Sequence, residues 1–199
     1  MATVEIVRLQ AAQLGEASDV LARAFQDDPA WRWIIPDARR RARLLPWLFR
    51  VGFDMAAAEV WTTEGAVRGA ARWQPPGRPP TRVGPTLRAL VAAPIRLGGA
   101  TGRYLAYGRA VETLRLRVAP WPHWYLAGIG VDPAEQRRGV GSALLRPGLE
   151  ASARDRIPAV LLTNSERNLS FYERAGFRVA AEGETPGGGP QAWAMVRNP

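Results

Sequence analysis

Val131-Asp132-Pro133-Ala134-Glu135-Gln136-Arg137-Arg138-Gly139-Val140-Gly141-Ser142-Ala143-Leu144-Leu145 is the stretch that decides the fold. An apolar run ends at Val131, a turn follows at Asp132-Pro133, and a basic glycine-containing loop then begins an amphipathic helix. The backbone N–H groups at a helix start lack partners and carry a partial positive charge, so they bind phosphates well. The stretch therefore predicts a strand, a phosphate-binding loop and a helix in succession.

The side chains of this loop support the same interpretation. Gly139 and Gly141 let an anion approach the main chain closely, and Arg137 and Arg138 add formal charge. The loop differs from a P-loop, because no Gly-Lys-Ser/Thr follows the first glycine. We therefore expect it to bind a pyrophosphate.

Strands and helices alternate around this loop, which predicts a mixed α/β domain. In the last third, helices are predicted at Arg138–Asp155 and Asn168–Ala175, the second closed by Gly176, and strands at Trp124–Val131, Ala159–Thr163, Phe177–Ala181 and Ala192–Val196. Toward the N-terminus, the sequence predicts a strand at Val4–Leu9 and a helix at Ala17–Phe25 that is stopped by Asp27-Asp28-Pro29. A second helix is predicted from Asp37 to Met55, capped by Asp37 and interrupted at Pro46. These are followed by a hairpin of Glu59–Thr63 and Val67–Trp73, a loop at Pro75–Pro85, and a helical segment at Leu87–Val118 with breaks at Pro94, Gly98 and Gly99.

The composition limits the class of protein. The chain has 199 residues, which suits a single domain spanning 1–199, and it has no cysteine and one histidine, so we expect no metal site. No apolar run is long enough to span a bilayer and the first residues do not resemble a signal peptide, so we expect a cytoplasmic protein without membrane contact. The net charge of +9 comes from arginine alone. The arginines are scattered apart from Arg39-Arg40-Arg41, which favours a solvated surface over a nucleic-acid-binding one.

A second stretch follows the loop after one helix and one strand: Asn164-Ser165-Glu166-Arg167-Asn168-Leu169-Ser170-Phe171-Tyr172-Glu173-Arg174-Ala175-Gly176-Phe177. Together the two stretches resemble the GCN5-related N-acetyltransferase (GNAT) superfamily, strongly over residues 120–197. Within it, the chain looks most similar to puromycin N-acetyltransferase-like members, through Ala24–Pro29, His123–Leu126 and Asn168–Arg174. The aromatic stretch Trp31–Pro36 departs from those members.

The resemblance implies an α/β fold with a central mixed, mostly antiparallel sheet that is splayed between its fourth and fifth strands and flanked by helices. It implies acetyl-CoA as the cofactor, bound by residues 119–199, with residues 1–118 on the acceptor side. The strand before the loop would bulge at Gly128–Gly130, and the pantetheine arm would pair with its main chain. The cofactor-binding residues implied are Ile129, Gly130, Val131, Gln136, Arg137, Arg138, Gly139, Val140, Gly141, Ser142, Asn164, Asn168, Phe171 and Tyr172.

For catalysis, the resemblance implies that Tyr172 is the general acid, because a phenol is protonated at neutral pH and can donate a proton to the departing thiolate. A general base is harder to find from the residues. His123 is one candidate, although a lone histidine between tryptophans is more often structural, and Asp27 and Asp28 are others. A chain of waters would suffice for an amine of low pKa.

The acceptor is expected to be a small-molecule primary amine with an apolar or aromatic body. Asp28, Trp31, Trp33, Trp73 and Trp124 are the candidate residues of its site, although the tryptophans could equally be core residues. Three alternatives stay open: an acceptor on a protein or peptide, an acyl-CoA-binding regulatory module without catalysis, and an arginine-rich nucleic-acid binder. The sequence is compatible with a monomer or a homodimer.

Overall fold

The computed structural model describes residues 4–55, 58–77 and 91–199. A seven-stranded sheet runs through them in the order β1-β2-β3-β4-β5-β7-β6. Its strands are β1 (Ile6–Arg8), β2 (Glu59–Thr63), β3 (Gly69–Gln74), β4 (Trp124–Val131), β5 (Ala159–Thr163), β6 (Arg178–Glu184) and β7 (Gln191–Arg197). Every neighbouring pair is antiparallel except β4 and β5, which are parallel. The expected mixed, mostly antiparallel α/β sheet is confirmed.

Helices cover both faces of the sheet. They are α1 (Leu14–Ala24), α2 (Pro29–Ile34), α3 (Ala38–Met55), α4 (helical over residues 91–97), α5 (Thr101–Val118), α6 (Val140–Asp155) and α7 (Leu169–Arg174). Because Leu144, Leu145 and Ala151 of α6 pack with alternate residues of β3, β4 and β5, α6 covers one face and forms the largest core cluster. Helix α1 covers β3 and β4 from the opposite face, with Ala17, Val20 and Leu21 in its own cluster.

Helix α5 lies on the same face as α1, over the other half of the sheet. Its Leu114 packs against Ala192 and Ala194 of β7. Helices α2 and α3 meet α4 and α5 through Ile34, Leu45 and Leu97. In the described part of the chain, no helix is long and apolar enough to cross a membrane.

Predicted and observed elements agree best in the last third, where β4 and β5 have the expected bounds. Asp37 is the expected cap of α3, since its Oδ1 accepts from the Arg40 N–H at 2.6 Å. The interruption expected at Pro46 is wrong, because α3 continues through it, and residues 91–97 are helical through Pro94 as well. Gly98 does end that segment, in a 3-10 turn at Gly98–Ala100. The predicted elements at 78–90 lie outside the described residues.

The run Arg39-Arg40-Arg41 is largely structural. Arg41 is 3% exposed and donates to the carbonyl oxygens of Gln26, Ile35 and Pro36 at 2.6 to 3.0 Å. Arg40 donates to the carbonyl of Leu97 at 2.7 Å. Two of these cations therefore satisfy main-chain oxygens next to α1, α2 and α4, and they hold these helices together.

Gly148→Ala tests the packing of α6 on β3. A Cβ at this position would lie 2.1 Å from two atoms of the Trp73 indole, and that ring is fully buried. We expect overpacking to lower the free energy of unfolding by about 1–3 kcal/mol, measured by urea denaturation.

Gly108→Ala on α5 is the matched control, because a Cβ there meets nothing within 4 Å. Removing a helical glycine at an open position should raise stability by about 0.5–1 kcal/mol. The same sign of effect at both positions would contradict the close contact between α6 and Trp73.

Candidate active site

The loop between β4 and α6 has the backbone shape of an anion site. Arg137 and Gly139 both have positive φ, of 63° and 82°, and Gly139 is the N-terminal cap of α6. When left-handed and right-handed backbone conformations alternate along a loop, successive N–H groups point into one concavity, where an anion can bind. The left-handed backbone conformation of Arg137 is strained for a residue with a side chain. Such strained residues are found most often at ligand sites. The sequence did not indicate it.

Other side chains of the loop hold it to the body of the protein. Asp132 accepts from Arg23 Nε at 2.9 Å and from the Ala134 N–H at 3.1 Å. Gln136 donates to the Val131 carbonyl at 3.2 Å, and Arg138 lies 3.4 Å from Glu135. Gln136 and Arg138 thus have protein partners, while the first N–H groups of α6 have no partner within the helix.

The sheet opens beside this loop. The parallel ladder of β4 and β5 ends at the pair Leu126↔Leu161, although β4 continues to Val131 and β5 to Thr163. The expected splay between the fourth and fifth strands is therefore present. From Ala127 onward, β4 pairs with β3 alone among the described residues, so its other edge offers main-chain groups to an extended ligand.

A bulge in β4 lies at the mouth of this opening. Trp73 of β3 pairs with Leu126 and Arg72 pairs with Gly128, so Ala127 has no residue opposite it. The expected bulge is present, one residue before the predicted Gly128–Gly130. It changes the face on which the following side chains lie. Ile129 packs in the α6 cluster, whereas a Cβ at Gly130 would lie 2.7 Å from Leu21 of α1.

Three of the predicted cofactor-binding residues converge next to the loop. A Cβ added to Gly141 would lie 3.3 Å from Phe171 Cζ and 3.7 Å from Val131 Cγ2. Val140 is buried in the core, and Ser142 is exposed on the first turn of α6. The missing side chain at Gly141 therefore leaves room for Phe171 at the edge of the anion site.

The two asparagines differ in how they are held. Asn164 Oδ1 accepts from the Tyr107 hydroxyl at 2.7 Å, and its Nδ2 donates to the Gln191 carbonyl at 2.8 Å. Asn168 is exposed and makes one long contact of 3.4 Å to Thr163 Oγ1. Asn164 thus holds α5 against the sheet, and Asn168 is the better placed of the two to meet a ligand.

Tyr172 lies beneath this region as a buried phenol. It is 6% exposed and packs edge-on against Phe177 with ring centroids 6.1 Å apart. Burial first, and the charge of Asp28 second, raise the pKa of Tyr172 above its usual value. The phenol is therefore protonated over the whole neutral range.

Asp28 is the N-terminal cap of α2. Its Oδ1 accepts from the N–H groups of Ala30 at 2.9 Å and of Trp31 at 3.3 Å. Burial raises the pKa of this carboxyl, against the lowering effect of the two N–H donors. Burial and, next, the Asp28 charge raise the pKa of Tyr107, so Asp28 lies near two phenols.

A cation and two more tyrosines line the face of the sheet next to α5. Arg72 of β3 donates to the Gly52 carbonyl at 3.0 Å, and burial lowers its pKa. Burial raises the pKa values of Tyr104 and Tyr125, and the charge of Arg72 lowers both. A Cβ at Gly128, opposite Arg72, would meet nothing within 4 Å, so open space lies beside these groups.

Of the predicted acceptor tryptophans, Trp31 and Trp33 belong to α2. Trp31 is partly buried and stacks on Tyr104 with centroids 6.1 Å apart, and Trp33 is partly buried on the same helix. Trp73 and Trp124 are 0% and 4% exposed and belong to the core under α6. Their burial removes them from the wall of an acceptor site, since no surface remains to contact a ligand.

His123 is held at both ring nitrogens. Nδ1 donates to the Trp121 carbonyl at 2.7 Å, and Nε2 accepts from Arg115 Nη1 at 2.6 Å, since a guanidinium can only donate. Glu112 in turn accepts from Arg115 at 2.6 Å. A histidine with both nitrogens engaged has no site for a proton from an acceptor, so the structure favours a structural role.

Sequence reasoning missed helix α2, Arg72 and the tyrosines Tyr104, Tyr107 and Tyr125. Asp28-Pro29 was interpreted as a stop for α1, but an aspartate followed by proline is also a helix start, and α2 begins there. Arg72 and the tyrosines are far apart in sequence and carry no local pattern. Within the described residues, no cluster of three or more histidine, aspartate or glutamate side chains could bind a metal.

Comparisons with known proteins agree with this geometry. The model of the acetyltransferase (GNAT) family matches residues 73–177, more than half of the chain. The histone acetyltransferase HPA2 and related acetyltransferase from Corynebacterium glutamicum has a similar structure, with a TM-score of 0.69, 22% identity, and coverage of 100% of this chain and 97% of that chain. Polyamine N-acetyltransferase of Drosophila melanogaster gives a TM-score of 0.60 at 16% identity, with coverage of 99% of this chain and 100% of that chain. Ribosomal-protein-alanine N-acetyltransferase of Brucella melitensis gives a TM-score of 0.55 at 16% identity, with coverage of 98% of this chain and 100% of that chain.

At these identities the solved structures show the fold, and the family model shows the family. The chain therefore belongs to the GNAT family of N-acetyltransferases. Members of this family transfer an acetyl group from acetyl-CoA to an amine.

The single histidine makes one prediction simple to measure. Burial first, and the charge of Arg115, lower the pKa of His123, so we expect an NMR titration midpoint below the ordinary value of about 6.5. The folded protein favours the neutral ring of His123. The contribution of His123 to the free energy of unfolding is therefore complete above pH about 6.5 and declines as the pH falls below that value. Arg115→Gln should move the midpoint upward, and a wild-type midpoint at or above 6.5 would contradict the arrangement.

Proposed function

We propose that this protein transfers the acetyl group of acetyl-CoA to the primary amine of a small molecule with an apolar or aromatic body. The observation that supports the proposal is a buried phenol, Tyr172, packed in the same core cluster as Ile129 and Val131 of β4, where the sheet opens between β4 and β5 and the loop to α6 begins. One side of this opening is formed by the free edge of β4.

The residues present fit acetyl-CoA. The N–H groups around Gly139 and Gly141 are suited to the diphosphate, and the absent side chain at Gly141 keeps Phe171 at the edge of that site. The main chain at Ile129, Gly130 and Val131 is available to the extended pantetheine arm. Asn168, the residue directly before α7, is exposed and available to the same arm. When bound, acetyl-CoA supplies an activated acyl group as a thioester.

The chemistry requires one bond to form and one to break. The neutral acceptor amine attacks the thioester carbonyl, a C–N bond forms, and the C–S bond breaks. A main-chain N–H near Ile129 stabilises the negative charge on the carbonyl oxygen. Tyr172 donates a hydrogen bond and then its proton to the departing sulfur. The proton lost by the acceptor nitrogen restores the phenol, so the products are an amide and free coenzyme A.

Tyr172 is well suited to this role because it is never a phenolate at neutral pH. Its raised pKa means that complete transfer of the proton to sulfur is uphill unless a proton from the acceptor replaces it. We therefore propose that Tyr172 passes protons between the acceptor amine and sulfur. His123, with both nitrogens engaged, takes no part in this scheme.

The acceptor site is proposed to lie between α2, α5 and the face of β3 and β4. Trp31 and Tyr104 offer stacked aromatic surface, and Asp28 offers a carboxylate to a cationic or hydrogen-bonding amine. These features favour a small aromatic or apolar amine over a peptide lysine. A puromycin-like acceptor is one such amine.

Tyr172→Phe tests the catalytic proposal. The change removes one hydroxyl from a buried ring, so we expect kcat to fall by about 10²- to 10⁴-fold, while the affinity for acetyl-CoA measured by calorimetry stays within about twofold. Turnover is followed as thiol release from acetyl-CoA with a panel of small amines. Ser170→Ala, which removes an exposed hydroxyl from the same helix, should leave kcat unchanged.

Unchanged turnover in Tyr172→Phe would count against acid catalysis by this residue. Absence of turnover with every amine, together with normal acetyl-CoA binding, would favour a regulatory module. Turnover only with peptide lysines would contradict the proposed acceptor class.

Asp28→Asn tests the acceptor site. Asparagine caps a helix as well as aspartate does, so α2 should be preserved while the charge is lost. We expect kcat/KM for the amine to fall at least about tenfold, because a charge-assisted hydrogen bond contributes roughly 1.5–3 kcal/mol. The matched control is Asp37→Asn, the exposed cap of α3. An equal effect of the two substitutions on kcat/KM would contradict a role for Asp28 in acceptor binding.

A further inference from the structure

Arg72 is a cation of β3 that the proposed reaction does not use. Its Nη1 donates to the Gly52 carbonyl of α3 at 3.0 Å, and no ion pair joins it to a carboxylate among the described side chains. The side chain lies deep in the fold, since burial lowers its pKa, yet part of its surface is accessible. A cation in such a place is costly unless an anion accompanies it. Arg72 is therefore a candidate to bind an anionic group of a ligand.

The strand that faces Arg72 leaves space beside it. Arg72 pairs with Gly128 of β4, and a Cβ at Gly128 would meet nothing within 4 Å. Two residues further along β4, the same face is closed, because a Cβ at Gly130 would lie 2.7 Å from Leu21 of α1. The face of the sheet is thus open at the level of Arg72, where a small ligand group has room.

Aromatic side chains connect the guanidinium with the carboxylate of Asp28. Phe49 lies one turn before Gly52 on α3, and its ring centroid is 5.8 Å from that of Trp31. Trp31 in turn stacks on Tyr104 with centroids 6.1 Å apart, and its main-chain N–H donates to Asp28 at 3.3 Å. A continuous run of aromatic contacts therefore leads from a cation to a carboxylate.

The polar groups on the same face as Arg72 are hydrogen-bond donors. Tyr125 is opposite Gln74 in the sheet register, two residues from Arg72, so its side chain lies on the face that Arg72 occupies. Burial raises the pKa of Tyr125 and of Tyr104, and both phenols keep their protons at neutral pH. A guanidinium can only donate. Such a set of donors matches a carboxylate, whose two oxygens pair with the planar guanidinium.

We infer that the acceptor carries a carboxylate close to its amine, and that Arg72 binds this carboxylate and thereby selects the substrate. The inference rests on the proposed acetyl transfer to a small amine and narrows its acceptor. Gly128, opposite Arg72, directly precedes Ile129, where the proposed donor to the thioester oxygen lies. A carboxylate bound by Arg72 is therefore held near the reacting carbon, while an aromatic body contacts Trp31. The class of acceptor that fits is an aromatic amino acid or a close analogue.

The test uses three matched pairs of acceptors: phenylalanine with phenethylamine, tyrosine with tyramine, and tryptophan with tryptamine. The members of each pair differ by the carboxylate alone. For each acceptor, kcat/KM is measured by thiol release from acetyl-CoA, in the wild-type protein and in Arg72→Gln. In at least one pair the wild-type protein should favour the amino acid, and Arg72→Gln should lower the ratio of the two values about 10- to 100-fold. Comparison of this ratio between proteins cancels the different basicity of the two amines and any loss of folded protein.

Arg40→Gln is the matched control. Arg40 is also half-buried and donates to a main-chain carbonyl, that of Leu97, but it lies about 18 Å from Gly52 along α3. It should keep the wild-type ratio. A wild-type protein that favours the amine in every pair, an unchanged ratio in Arg72→Gln, or an equal loss in Arg40→Gln would overturn the inference and leave the acetyl-transfer proposal intact. No turnover of any amine or amino acid would overturn the proposed function as well.

A measurement on the wild-type protein alone does not depend on how the variants fold. Hydrocinnamate has the aromatic ring and the carboxylate of phenylalanine without the amine, and hydrocinnamamide is its neutral counterpart. Hydrocinnamate should inhibit turnover at a concentration lower by about tenfold or more, because only the carboxylate forms charged hydrogen bonds with Arg72. Equal inhibition by the two compounds would overturn the inference.

Discussion

The separation of β4 from β5 is the constraint on which the rest of this structure depends. The two strands pair in parallel over three residues and then diverge, so one edge of β4 is left to a ligand. The bulge at Ala127 lies at this point and reverses the faces on which the later side chains lie. Consequently Ile129 and Val131 join the core under α6, whereas Gly130 admits α1 on the opposite face.

Buried arginines organise the acceptor side in a comparable way. Arg41 satisfies three carbonyl oxygens where α1 and α2 end, a position that the helix dipole makes favourable for a cation. Arg103 donates to the Ile34 carbonyl at 3.1 Å and joins α2 to α5. Through these contacts the short helix α2 keeps a fixed orientation, and Asp28 at its start is held in place with it. A six-residue helix could not keep such a position by its intrinsic stability.

The sequence predicted the elements of the last third better than those before them, for a physical reason. The strand, loop and helix around Gly139 are contiguous, and each has a local signal: an apolar run, a turn, glycines and a helical period. Prolines misled the helix boundaries because packing of residues such as Leu45 and Leu48 outweighs a local break at Pro46. Aromatic content could not separate Trp31 from Trp73, since a wall and a core have the same composition. Arg72, Tyr104 and Tyr125 meet only through the sheet and α5, so no local pattern exists for them.

Buried phenols and two opposite charges lie in the part of the chain where we propose the acceptor site. Burial raises the pKa of each of the four tyrosines. Asp28 and Arg72 provide opposite charges, which are stronger in a low-dielectric site than in water. Burial disfavours a protonated amine and so favours the nucleophilic form, while the carboxylate of Asp28 still attracts the amine in its protonated form. The proposed acceptor site therefore attracts the amine as a cation and presents it to the thioester as a free base.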